Sequence, residues 1–308
     1  MDDQTDLRGR FETVRTEINA VLGPRARLHD VRLDGMPRVD KTPTPEALTW
    51  VTRTDTTAKA AERRTQLAVN RSHGLAVDSA WTRHDSASVR AFPTDYAVVR
   101  AGWDLGEHPP ILSAGAIVFC PEDREVLLQI RSQRVATFPG CVHTLGGNYE
   151  PADAHDPHDD APPSHLALRR CALREVQEES GLAFAEVHAA PVLVSEETET
   201  GFVQFTYAGI AVTHDEKSDL LRRRREGRLP TPDEGGWHFF SLDELARCFE
   251  TGTHAGVERR FVPSGAMQLL AWLGMGAPDP HRRLPMAAQA LEAYERMLPH
   301  LDRMLGTR

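Results

Sequence analysis

The sequence predicts an α/β fold, and three observations carry that expectation. Strand-like segments crowd the stretch 111–145, a helix with one apolar and one acidic side ends at Gly181, and two more strand-like segments follow within residues 187–212. Leu166, Leu173 and Val176 fall on the side of that helix opposite its acids, where they can bury against a sheet.

Residues 1–110 carry weaker signals. Phe11, Val14, Ile18 and Val21-Leu22 have helical spacing, which Gly23-Pro24 stops. Residues 27–33 and 48–53 read as short strands, Pro43-Thr44-Pro45 breaks the chain, and 58–69 reads as a polar, Arg-rich helix. Trp50, Trp81 and Trp103 either pack a small subdomain or line a cleft, packing being the default for so large an apolar ring. A boundary is expected near Pro109-Pro110.

From Ile111 the pattern tightens. Residues 112–120 and 125–131 form a hairpin about the turn at 121–124, and Phe138-Pro139-Gly140 redirects the chain into 141–145 and a Gly146-Gly147 bend. Trp237–Phe240 is a further strand, and Ser241 with Glu244 three residues on forms a capping box for the next helix. Helices are expected at 264–273 and 286–305.

The helix ending at Gly181 carries the chemistry. Glu175, Glu178 and Glu179 lie at i, i+3 and i+4, so they share one face and crowd the negative end of the helix dipole. Either Arg170 and Arg174 relieve a solvated acidic face, or a cation is the missing partner. Hard oxygen ligands of this kind suit Mg2+ or Mn2+.

The stretch Arg174-Glu175-Val176-Gln177-Glu178-Glu179-Ser180-Gly181-Leu182 resembles the second half of the Nudix box, R-E-U-x-E-E-x-G-U with U aliphatic, at every fixed position. The first half departs from the pattern. Five residues (148–152) separate Gly147 from Asp153, where the family has Glu, and twenty residues (154–173) separate Asp153 from Arg174, where the family has seven. The loop is thus thirteen residues longer, an enlargement that costs little entropy if exposed. The resemblance spans roughly 111–275 and implies a Nudix α/β/α sandwich with a mixed sheet, preceded by an α+β extension or subdomain (1–110) and followed by a C-terminal helix (276–308).

The resemblance further implies hydrolysis of a nucleoside diphosphate linked to another group, with Mg2+ or Mn2+ held by Glu178 and Glu179, Glu175 as a third ligand and Asp153 as a further one. Arg174 would hold a carboxylate in place, and Gly146 and Gly147 would let backbone approach metal or phosphate. Glu234, ahead of Trp237, is either the general base or an ordinary acidic loop residue, and Glu196, Glu197 and Glu199 are weaker candidates. Arg131 and Arg134 could grip phosphates; the run Arg222–Arg225 is either a solvated helix face or a phosphate contact. Two other readings compete: an isopentenyl-diphosphate isomerase-like enzyme, which needs a cysteine later than Cys141, and a non-catalytic nucleotide-sensing module, which usually lacks the helix acids.

Composition sets the remaining bounds. The 308 residues are 40% hydrophobic and 26% charged, and the net charge of −9 disfavours general nucleic-acid binding. No apolar run is long enough to span a bilayer, and the acidic start lacks a signal-peptide core. Four cysteines without a C-x-x-C pair suggest reduced thiols in a cytoplasm. The partner expected is a small diphosphate substrate, with a homodimer among the expectations because many relatives are dimers. His155, His158 and His165 in the enlarged loop match no zinc spacing, and an acidic lid is expected there.

Overall fold

The computed structural model describes residues 2–40, 45–67, 72–76, 88–135, 137–150, 153, 167–184, 191–229, 235–276 and 286–300. The chain begins with α1 (Asp2–Leu22), β1 (Ala26–Arg32) and β2 (Arg38–Asp40), then α2 (Pro45–Asp55), α3 (Ala58–Leu67), β3 (Ser72–Ala76), β4 (Ser88–Asp95) and α4 (Tyr96–Asp104). The hairpin β5 (Ile111–Cys120) and β6 (Glu125–Arg131) leads through β7 (Val142–His143) to β8 (Leu145–Asn148) and α5 (Ala167–Ser180). Next come β9 (Val192–Glu197), β10 (Phe202–Ala211), α6 (His214–Arg225), β11 (Gly235–Ser241) and α7 (Leu242–Thr251). The small hairpin β12 (Thr253–His254) and β13 (Val257–Glu258), α8 (Pro263–Met275) and α9 (Met286–Met297) complete the described elements.

Eleven strands form one mixed sheet among the described residues. β5 is its axis. All ten of its residues are buried; it runs parallel to β10 along one edge, and its other edge is shared by β3, β8 and β6 in succession. Beyond β10 lie β9 and then β1, so a strand from the first hundred residues hydrogen-bonds into the same sheet as the hairpin.

Period-two alternation along β5 sends Ile117 and Phe119 to one face and Leu112, Ala114, Ala116 and Val118 to the other. The first face packs against α1, α7, α8 and α9, with Phe11, Val14, Ile18 and Leu22 seated beside Leu269, Leu270 and Leu273. The second packs against α5 through Leu168, Cys171, Ala172 and Val176. Helices on both faces of a mixed sheet make the expected α/β/α sandwich. Every residue of α8 is buried, which an amphipathic surface helix could not tolerate.

Two local expectations change. The strand expected at 48–53 lies within a helix, α2. Ala47, Trp50, Val51 and Thr54 stand at i, i+3, i+4 and i+7, and this stripe overrides the β preference of its threonine, valine and tryptophan residues. The helix α9 gives way after Met297 to a 3-10 turn at Leu298–His300. Trp50 and Trp103 pack with Tyr96 and Phe202 around Val99 and Ile111, and the Trp103 indole donates to the Thr200 carbonyl at 3.0 Å. Trp81 lies outside the described residues.

Because Phe11 is fully buried between α1 and α8, Phe11→Ala should lower the unfolding free energy by about 3–5 kcal/mol. A urea titration with an unchanged m-value would measure it; a loss under about 1 kcal/mol would mean that α1 is not part of the cooperative core.

Candidate active site

The helix α5 runs over the face of the sheet where Leu112, Ala114 and Val118 lie, and ends at Gly181, whose φ of +82° and N–H bond to the Gln177 carbonyl (2.8 Å) close it in the left-handed conformation. Its buried stripe fixes the rotation of the helix. That rotation aims Glu175 and Glu179 at the Gly146-Gly147 bend of β8.

Glu179 is only 5% exposed, and each of its oxygens is engaged. The Gly146 N–H donates to Oε2 at 2.9 Å, and the Gln129 side-chain amide donates to Oε1 at 2.5 Å. Glu175 lies against the next residue: a Cβ on Gly147 would come within 2.4 Å of its carboxyl carbon. Gly146 itself, at φ +156°, has no room for a side chain, since a Cβ would stand 2.7 Å from the Gly115 Cα. Both glycines are therefore required by close approach and not merely by a turn. Glu178, one turn up the same face, is open to solvent with 56% of its side chain exposed.

Arg174 ties these acids together. Its Nη1 donates to Glu175 at 2.7 Å and Glu178 at 3.2 Å, and its Nη2 to the Asn148 carbonyl at 3.0 Å. Its Nε and Nη2 also form a two-pronged bond to Asp153 at 2.8 and 3.0 Å. Burial opposes the charge of the guanidinium, but the Asp153 hydrogen bonds and the nearby Glu175 outweigh it and hold the group firmly protonated. Asp153, expected beside the helix glutamates as a metal ligand, turns both oxygens onto Arg174. It also accepts from the Glu150 N–H at 2.8 Å, with 3% of its side chain exposed. The carboxylate that the enlarged loop carries away in sequence returns to the helix in space.

The remaining expected residues are dispersed. Arg131, on β6, donates to the carbonyl and hydroxyl of Thr137 at 3.2 and 3.3 Å. Arg134 is exposed. Arg224 stacks 4.3 Å over the Trp237 ring and donates to its carbonyl at 2.7 Å, so this member of the arginine run packs the fold. Glu196 pairs with His29 and Glu199 with Arg25. Glu234, His155, His158 and His165 lie outside the described residues.

Sequence reasoning missed Gln129, although an amide in the otherwise apolar run Val126–Ile130 was a usable signal, since a buried polar group needs a partner. It also missed a buried polar chain on the far face of the sheet. Thr200 donates to Glu197 (2.7 Å), and Ser264 donates to Glu197 (3.3 Å) and lies 3.4 Å from the His143 ring. His143 contacts Thr144, which donates to Gln268 (2.8 Å), and the Gln268 amide donates to Gln204 (2.9 Å) and Ser195 (3.0 Å). Gln204 in turn packs beneath the Gly115–Gly146 crossing. These partners come from four separate elements, and no local pattern joins them.

Burial pushes the Glu197 carboxyl up to about 7 and the His143 ring down to about 3, so both are neutral in mildly acidic solution. For Glu197 the folded chain holds its proton more tightly than the unfolded chain does. Its contribution to stability is complete below the ordinary value of 4.5 and is lost as pH rises to about 7. Glu197→Gln should therefore gain stability relative to the parent as pH climbs through that window, read by chemical denaturation at several pH values. A difference that is flat with pH would show that the carboxyl is not buried as described.

A sequence model of the NUDIX domain matches residues 109–264. No protein of curated function matches the chain. Among solved structures, it is similar to a MutT protein from Methanosarcina mazei Go1, with 22% identity, 46% of this chain and 83% of that chain covered, and a TM-score of 0.31. A NUDIX hydrolase from Alicyclobacillus acidocaldarius gives 15% identity, coverage of 56% and 95%, and a TM-score of 0.36. A C. elegans Ap4A hydrolase gives 13% identity, coverage of 51% and 91%, and a TM-score of 0.30. With the domain model spanning half of its length and laid over the acidic helix and glycine bend, the chain belongs to the Nudix family and is a hydrolase of pyrophosphate bonds.

Proposed function

We propose that the chain is a Mg2+-dependent pyrophosphohydrolase acting on a nucleoside diphosphate linked to another group. The observation that supports this most directly is the convergence of Glu175 and Glu179 on the Gly146-Gly147 backbone, with Glu178 open beside them. The donor set is made of hard oxygens, and a Cβ at Gly147 would fill the space beside the Glu175 carboxylate, so the residues fit a small divalent cation.

Glu178, Glu179 and Glu175 would hold Mg2+ or Mn2+ at this bend. Such an ion supplies charge neutralisation of the pyrophosphate oxygens and a more acidic attacking water. The work of this chain's own groups is to keep carboxylates together that repel each other. Arg174 carries out that task for Glu175 and Glu178, and Asp153 anchors Arg174, so both are positioning residues; we assign Asp153 this role and not that of a ligand. Gln129 and the Gly146 N–H orient Glu179 toward the glycine bend. Arg131, with guanidinium donors beyond the two on Thr137, would meet the outer phosphate.

Glu234 remains the proposed base that takes the proton of the attacking water. It directly precedes β11, whose Trp237 is in register with Gln129, the residue that holds Glu179. The isomerase reading needs a reactive thiol near the bend, and burial pushes the Cys141 thiol up, which weakens it as a nucleophile or acid.

A panel of nucleoside diphosphate compounds, assayed for released monophosphate with Mg2+ and with excess chelator, tests this reading. Turnover should vanish with chelator and return with Mg2+. Glu178→Gln should lower kcat by about 100-fold or more, with the fold intact by circular dichroism. Full activity in that variant would remove the proposed metal site. Gly147→Ala, whose Cβ would strike the Glu175 carboxylate, should depress kcat more than it depresses Tm; a change confined to Tm would mean that Glu175 takes no part in the reaction.

A further inference from the structure

On β11 the side chains alternate: Trp237 and Phe239 enter the layer beneath α5, whereas Phe240 enters the layer beneath α7 and α8. His238 shares the face of Phe240, so it lies across the sheet from the acidic helix. There it meets two residues from separate elements, Glu244 in the first turn of α7 and His254 on β12, just past the left-handed Gly252 that ends α7. One donor atom from each of the three lies within 4.8 Å of the other two. The His254 Nε2 is 4.0 Å from the Glu244 Oε1, and the two imidazole rings are 5.0 Å apart.

The groups are not otherwise committed. Glu244 uses Oε2 to cap α7, accepting from the Ser241 N–H and hydroxyl at 2.9 Å each, and Oε1 is left facing His254. Among the described residues no hydrogen bond occupies the ring nitrogens of His238 or His254; Phe240 packs against both rings. Two half-buried imidazoles and one carboxylate oxygen converging without hydrogen-bond partners form a donor set of a kind different from that on α5.

We propose that His238, Glu244 and His254 form a second divalent-cation site, separate from the catalytic carboxylates, that takes Zn2+ or a similar borderline ion. Two nitrogens and one oxygen match the preferences of Zn2+, whereas the all-oxygen set on α5 suits Mg2+. Bonds of about 2.0–2.1 Å in a tetrahedron require donors roughly 3.3 Å apart. The ligands must therefore close by about 1 Å, which side-chain rotation on the exposed β12–β13 hairpin supplies. All three residues retain partial exposure, so water fills the fourth position. The ion would clip the hairpin and the start of α7 to β11, the strand that follows directly from Glu234.

The test is zinc titration of the full chain, stripped with chelator and then held in millimolar Mg2+ to occupy the α5 carboxylates, followed by calorimetry and thermal melting. One Zn2+ per chain should bind and raise Tm. His254→Ala and Glu244→Gln should each weaken binding by about tenfold or more, whereas Glu175→Gln with Glu178→Gln should leave it unchanged. Glu244→Gln keeps a side chain able to cap α7, and His238→Asn serves if His254→Ala fails to fold. Co2+ in place of Zn2+ should give the strong visible absorption of a four-coordinate site. The proposal is overturned if no Zn2+ binds in the presence of Mg2+. It is equally overturned if bound Zn2+ is indifferent to the His254, His238 and Glu244 variants, or is lost with the α5 carboxylates.

Discussion

One guanidinium sets the geometry of the candidate active site. Glu175, Glu178 and Glu179 stand within two turns at the carbonyl end of α5, where neighbouring like charges and the helix dipole both disfavour them. Arg174 reaches Glu175 and Glu178 directly and is itself clamped by Asp153 and the Asn148 carbonyl. A partly buried cation with so many partners stays charged, and removing one partner of a buried pair costs about 3–5 kcal/mol, so the acids and the arginine persist as a set. The arrangement leaves net negative charge at the glycine bend, the charge that the proposed divalent cation would offset.

The sheet supplies the other half of the constraint. Glu179 accepts from the Gln129 amide and the Gly146 N–H, and these come from β6 and β8, two strands that pair with one edge of β5. Gly146 lets β8 lie close against Gly115, and Gly147 leaves room for the Glu175 carboxylate. On the opposite face, α8 is wholly buried and carries Ser264 and Gln268 into a polar chain that reaches from Glu197 to Gln204 beneath the same glycines. Stability on one side of the sheet and ligand geometry on the other thus depend on the same few strands.

The first hundred residues are coupled to this frame through hydrogen bonds as well as packing. β1 extends the sheet beyond β9, Trp103 donates to the turn between β9 and β10, and the Tyr294 hydroxyl of α9 donates to Glu17 of α1 at 2.5 Å. No helix among the described residues is long and apolar enough to cross a membrane.

Local chemistry carried much of this in the sequence. The apolar spacing of Phe11, Val14, Ile18 and Leu22, the capping box at Ser241 and Glu244, the β5–β6 hairpin and the acid face of α5 are all set by neighbours within a few residues, so periodicity and turn residues reveal them. The strand expected at 48–53 failed for the same reason in reverse: β preference was legible there, but the partner that rewarded a helical stripe was not. Only the tertiary structure decided that Asp153 returns across an enlarged loop to Arg174, that Gln129 fastens Glu179, and that His238, Glu244 and His254 face one another. Those contacts join residues brought together by strand register and helix packing, and register is a property of the folded sheet that no single stretch of chain contains.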